Sequence, residues 1–121
     1  MNKQPVYSRL DKINSLLFRE LNNLLIREPF EKNGQNNIIL SITKIETSKD
    51  LHYAKVFFTI MPLKYRGQAK YFLDAQRSEW QKIIGDKIAI KYTPRLQFVF
   101  DKGQQNAFVV EEILNKLKHE S

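Results

Sequence analysis

The residue types that perform chemistry are thin in this chain, and their spacing narrows the choice further. Cysteine is absent, and the two histidines, His52 and His119, lack the spacing that would bring metal ligands onto one helical face. Gly34, Gly67, Gly85 and Gly103 never approach the pattern of a phosphate-cradling loop. The serines at 8, 15, 41, 48, 78 and 121 have no elbow-like glycine context, and the carboxylates form no recognisable general acid and base pair. The expectation is a protein with no catalytic residue, no metal and no cofactor.

Charge is more informative. The chain carries 20 Lys plus Arg against 13 Asp plus Glu, for +7, an excess that favours polyanionic partners. Residues 62–95 hold eight of those cations against three acids. There Lys64, Arg66, Lys70, Arg77, Lys82, Lys87, Lys91 and Arg95 alternate with Tyr65, Tyr71, Trp80 and Tyr92, a mixture suited to phosphate pairing and base stacking. The plainer reading is a solvated helix face, with Phe72 and Trp80 on the apolar stripe serving the core. Composition alone leaves both open.

With 121 residues, 42% of them hydrophobic, the chain suits one domain spanning 1–121 that needs neither disulfide nor structural metal. The N-terminal residues have no apolar signal region, and no apolar run approaches the ~20 residues of a membrane span. A cytoplasmic protein without membrane association is expected.

Residues 8–28 repeat Leu10, Ile13, Leu17, Leu21, Leu24 and Leu25 at helical spacing, with Ser8 as a candidate cap and Pro29 as the stop. Residues 38–47 and 53–60 alternate as strands, joined by Ser48-Lys49-Asp50 into an antiparallel hairpin, with a phase slip at Lys44 and Ile45 that suits a bulge. Residues 63–84 return to helical spacing, with a kink or break between Ala75 and Ser78 and Gly85 ending the last turn. Residues 87–100 read as a strand pair or one long bent strand around Pro94, followed by a turn at 101–105 and a short helix through Phe108, Ile113 and Leu117. That order predicts an α+β domain: a small antiparallel or mixed sheet with helices on one face.

The stretch Ser48-Lys49-Asp50-Leu51-His52-Tyr53-Ala54-Lys55-Val56-Phe57 resembles the signature of the bacterial ribosome-binding factor A family, Ser-x-Asp-Leu-x-x-Ala-x-Val followed by an aromatic. Lys12-Ile13 with Arg19-Glu20-Leu21 and Leu24-Leu25 resembles the family's first helix, and Pro94-Arg95-Leu96-x-Phe98 its last strand. Two family features are replaced: the Ala-x-Gly helix break by Ala75-Gln76-Arg77 or Gln76-Arg77-Ser78, and the Asp-Pro-Arg-Leu-Gly stretch by residues 28–34. The signature residues Asp50, Leu51, Ala54 and Val56 suit fold maintenance, since Asp50 can fix a turn and Ala54 lets a helix approach the sheet.

The resemblance implies a KH-like domain of the second topological type: helix, strand, strand, kinked helix, strand, with a three-stranded sheet, helices on one face and a short C-terminal helix. It also implies a non-enzymatic factor that binds the small (30S) ribosomal subunit and assists late maturation and processing of 16S rRNA. On this reading Arg66, Lys70, Arg77, Lys82, Lys91 and Arg95 contact RNA phosphates. The partners implied are the small subunit with its precursor 16S rRNA and a maturation GTPase, bound by a monomer. A general single-stranded RNA or DNA module and a protein-interaction domain are the alternatives.

Overall fold

A computed structural model of the chain describes residues 9–30, 37–88, 92–107 and 113–114. Helix α1 (Arg9–Arg27) buries Ile13, Leu17, Leu21, Leu24 and Leu25 of the stripe anticipated from periodicity, while Leu10, in its first turn, is half-buried. Its last turn closes with the Glu28 amide donating to the Leu24 carbonyl (2.8 Å), just before Pro29 forbids another turn. The proposed Ser8 cap lies outside the described residues.

Strands β1 (Ile39–Thr47) and β2 (Tyr53–Met61) form the expected antiparallel hairpin. Its register shifts between Ile42 and Lys44, leaving Thr43 as the extra residue of a bulge one position before the phase slip in the sequence. The connecting turn is held by its own side chains. Asp50 Oδ1 accepts from the Ser48 hydroxyl (2.6 Å) and the His52 amide (3.0 Å), and Ser48 Oγ accepts from the Tyr53 amide (3.0 Å). These bonds, led by that from Ser48, hold the Asp50 carboxyl below its ordinary pKa. They also let Leu51 adopt φ 64°, a left-handed conformation costly for a branched side chain, which turns Leu51 against the core.

A short 3-10 turn (Leu63–Tyr65) leads into helix α2 (Arg66–Lys87), which returns the chain to β3 (Arg95–Phe100), parallel to β2. The sheet order β1-β2-β3 is therefore mixed. Ala54, Val56, Phe58 and Ile60 point at the helices and are wholly buried, as are Ala69, Leu73, Trp80 and Ile84 of α2 and Leu96 of β3. An aromatic chain threads this core: Phe30 to Phe72 (5.4 Å between centroids), Phe72 to Trp80 (6.0 Å) and Trp80 to Phe98 (6.4 Å). The two helices are also tied by Glu20 of α1, which lies 3.5 Å from Lys87 Nζ of α2.

Four sequence expectations need correction. α2 is helical throughout, with no break between Ala75 and Ser78, because Gln76 and Arg77 are good helix formers and neither candidate for the family's glycine position, Arg77 or Ser78, carries one. It does not stop at Gly85 but runs on to Lys87. Residues 87–94 accordingly contain no strand among those described, and β3 begins at Arg95. Finally, residues 101–105 are a helix start: Asp101 accepts from the Gln104 amide (3.1 Å) and residues 102–107 are helical. Of the closing helix, residues 113–114 are helical and the remaining positions from 108 onward lie outside the described residues.

This 102–107 helix locks onto the sheet. Thr43, the bulged residue, donates to Asp101 Oδ2 (2.6 Å), and the Asp101 amide makes the last rung to Phe58 (2.8 Å). Gln105, 1% exposed, then accepts from the Ile60 amide (3.0 Å) and donates to the Ile60 carbonyl (2.9 Å). A side-chain amide thus takes the place of the backbone that β3 no longer supplies.

Gln105→Ala strands both groups of Ile60 in the interior and is expected to cost about 2 to 4 kcal/mol, read as a lowered melting temperature by Trp80 fluorescence. Asp101 gives a pH test. The Thr43 hydroxyl, opposed by partial burial and aided by the Gln104 amide, holds its carboxyl below 3.8. A depressed folded pKa gives stability that is present above the unfolded value and lost as pH falls through the folded one. Thermal melts should therefore show wild type ahead of Asp101→Asn at neutral pH, with the gap closing below about pH 4.

Candidate nucleic-acid interface

The C-terminal half of α2 and the segment entering β3 enclose an open cleft of about 680 Å³. Arg77 and Lys82 reach it from α2, and Arg95, the first residue of β3, from the opposite side. Tyr92 and Thr93 lie beside Arg95, and the Tyr92 ring is 74% exposed. Asp86 is the one carboxylate among the lining residues, so the cleft has a net positive charge.

Two contacts set its width. A Cβ on Gly85 would lie 2.7 Å from Thr93 Oγ1, closer than real contacts come, so the Thr93 hydroxyl keeps its place against α2 only where the helix carries hydrogen. Mid-helix glycine costs up to about 1 kcal/mol relative to alanine, and close approach is what it provides in return. One turn earlier in chain order, Gln81 Oε1 accepts from the Leu96 amide (3.2 Å), joining the outer edge of β3 to α2. Neither Gln81 nor Thr93 stood out in the sequence. Gly85 did, in a different role.

Of the six cations expected at the interface, the cleft gathers Arg77, Lys82 and Arg95. Lys91 lies outside the described residues. Arg66 sits three turns before Arg77, roughly 16 Å along the helix, with its guanidinium 5.1 Å from the centroid of Phe100. Lys70 donates to Asp74 Oδ2 (2.7 Å), and Arg77 donates to the other oxygen of the same carboxylate (3.1 Å). Partial burial pushes the Asp74 pKa up, but these two bonds prevail and hold it below the carboxylate norm. Such partly exposed pairs contribute at most about 1 kcal/mol, so a phosphate can take Arg77 from Asp74. Lys70 and Arg66 therefore form a second cationic group up the helix, separate from the cleft.

Among the described residues there is no cluster of His, Cys, Asp or Glu able to hold a metal ion, and no helix is long and apolar enough to cross a membrane. The chemistry on offer at the cleft is phosphate neutralisation by three cations beside an exposed aromatic ring.

Residues 9–114 match the sequence profile of the family described as Ribosome-binding factor A. A protein of that name from Halothermothrix orenii is 30% identical over 113 residues, covering 93% of this chain and 90% of the relative. The crystal structure of ribosome-binding factor A from Thermus thermophilus superposes with a TM-score of 0.65 at 16% identity, over 77% of this chain and 96% of that one. A homology model of the Thermus thermophilus ribosome binding factor A, fitted into a cryo-EM map of its 30S complex, gives a TM-score of 0.51 at 16% identity, over 73% and 86%.

Gly85→Ala sets a helix-propensity gain of up to about 1 kcal/mol against overpacking of about 1 to 3 kcal/mol, so it is expected to lower the melting temperature. Adding Thr93→Ala removes the clashing oxygen and leaves a Cβ at 3.8 Å. The double variant should then melt near or above wild type, as differential scanning calorimetry would show.

Proposed function

Because the chain belongs to the ribosome-binding factor A family, we propose that it is an assembly factor that binds the small ribosomal subunit and assists late maturation and end-processing of 16S rRNA. The observation that carries the reading is the cleft, where Arg77, Lys82 and Arg95 converge beside the exposed Tyr92 although up to eighteen residues separate them in sequence. The 30S complex of the Thermus thermophilus relative supports the choice of ligand.

The factor acts by binding and not by catalysis. Cations at the cleft replace counterions on the rRNA backbone, and the fixed spacing of α2 against β3 selects a backbone shape. A protein with higher affinity for one rRNA conformation shifts the population toward it by that difference in affinity. Cleavage of the precursor ends then belongs to separate nucleases acting on the conformation held. In this reading residues 1–121 form one cytoplasmic domain acting as a monomer, with Lys91, Lys70 and Arg66 adding phosphate contacts and a maturation GTPase as the partner that displaces it.

Cosedimentation across a salt series tests the proposal. Retention on small subunits should persist at salt concentrations that release the protein from large subunits and from free RNA. Arg77→Ala with Lys82→Ala should weaken that retention and make the log affinity against log salt slope shallower by about 1 to 2, while the melting temperature stays nearly unchanged. Equal retention on all three ligands would leave a general basic RNA binder.

A further inference from the structure

The cleft does not end at Arg95. Because Arg95 opens β3 and stands in register with Tyr53, both side chains emerge on the sheet face turned away from the helices. Lys55 follows two residues later on that face, about 7 Å along the strand. Tyr53 is 47% exposed, and Lys55 and Arg95 are exposed. Among the described residues neither cation makes an ion pair. The carboxylate nearest in the register, Glu46, is engaged by Lys44 (3.5 Å). Lys44 also covers the half-buried ring of Phe57 (4.7 Å from its centroid), which leaves Tyr53 as the open ring of the patch.

The other end of this face is apolar and partly covered, with Ile39, opposite Met61 in the register, left 61% exposed. Thr59 is buried, and Gln105 of the 102–107 helix packs on Met61 with its Nε2 3.0 Å from the sulfur. The half nearest the Ser48–Tyr53 turn is the one that joins exposed cations to an exposed ring, and it adjoins the cleft.

We infer that this half-face is a second RNA-contact surface, on which single-stranded RNA leaving the cleft past Arg95 stacks a base on Tyr53 and sets a phosphate against Lys55. The inference rests on the rRNA-binding reading of the cleft and extends it. Two unpaired cations flanking one ring suit a charged backbone with a protruding base, whereas a protein partner would call for a broader apolar centre. Stacking on Tyr53 requires an unpaired base, so the occupant is a single strand and not a duplex.

Four full-length proteins decide it: wild type, Tyr53→Ala, Tyr53→Phe and Lys55→Gln, with Arg77→Ala/Lys82→Ala as the cleft reference and Trp80 fluorescence confirming that each is folded. Binding is measured to isolated small subunits, and ultraviolet crosslinks on the wild-type complex are mapped by peptide mass. Tyr53→Ala should lose at least about fivefold in affinity while Tyr53→Phe stays close to wild type, since the ring and not the hydroxyl stacks. Lys55→Gln should make the salt slope shallower by about 1, and the peptide containing Tyr53 should crosslink to RNA. Unchanged binding by Tyr53→Ala, with the cleft variant still weakened, overturns this inference alone. Loss of affinity without an RNA crosslink assigns the face to a protein and also overturns it. Absence of wild-type binding to small subunits removes the cleft reading and this extension together.

Discussion

Parallel pairing of β3 with β2 is the constraint on which the rest of the molecule depends. A chain that leaves β2 at Met61 and must start β3 beside Tyr53 has to travel back the length of the strand, about 26 Å. The 22 residues of α2 span about 33 Å when helical throughout, enough for the return and the approach to the sheet. A single unbroken helix meets that demand, and its apolar stripe from Ala69 to Ile84 covers the β2 and β3 side chains on the way.

The same return path builds the cleft. The end of α2 arrives beside the start of β3, so Arg77 and Lys82 face Arg95 without any local sequence feature bringing them together. Gly85 then makes room for the Thr93 hydroxyl between the two segments, and Gln81 fixes their alignment through the Leu96 amide. The interface is therefore a product of the crossover, not of a loop designed for it. Its position at the C-terminal half of α2 also places it next to the Tyr53 end of the outer sheet face.

Local periodicity made much of this legible. The α1 stripe, the antiparallel hairpin and the irregularity in β1 all follow from residue alternation that depends on near neighbours, and the Asp50 turn follows from side chains that bond within five residues. Where a residue answers to something distant, reading it locally fails. Gly85 looks like a helix terminus because its reason, Thr93, is in another segment. Asp101 to Gln105 looks like a turn because a six-residue helix has too few apolar positions to show a period, and Gln105 is buried only because Ile60 has two groups to satisfy. The basic stretch was visible as charge, but its division into a cleft group and the Arg66 and Lys70 group up the helix depends on helical phase and on contacts across the fold. Tyr53 gave no signal beyond its place in the family signature.

Gln105 also bears on how this protein avoids sticking to itself. Beyond Phe100 the central strand would present an open rung at Ile60, the kind of unpaired edge on which a foreign strand can dock and begin an aggregate. An amide side chain offers the donor and acceptor of a peptide group, but it carries no chain onward to extend the ladder. One glutamine therefore ends sheet growth on that side of β2, leaving a mixed sheet of three strands that cannot recruit a fourth there.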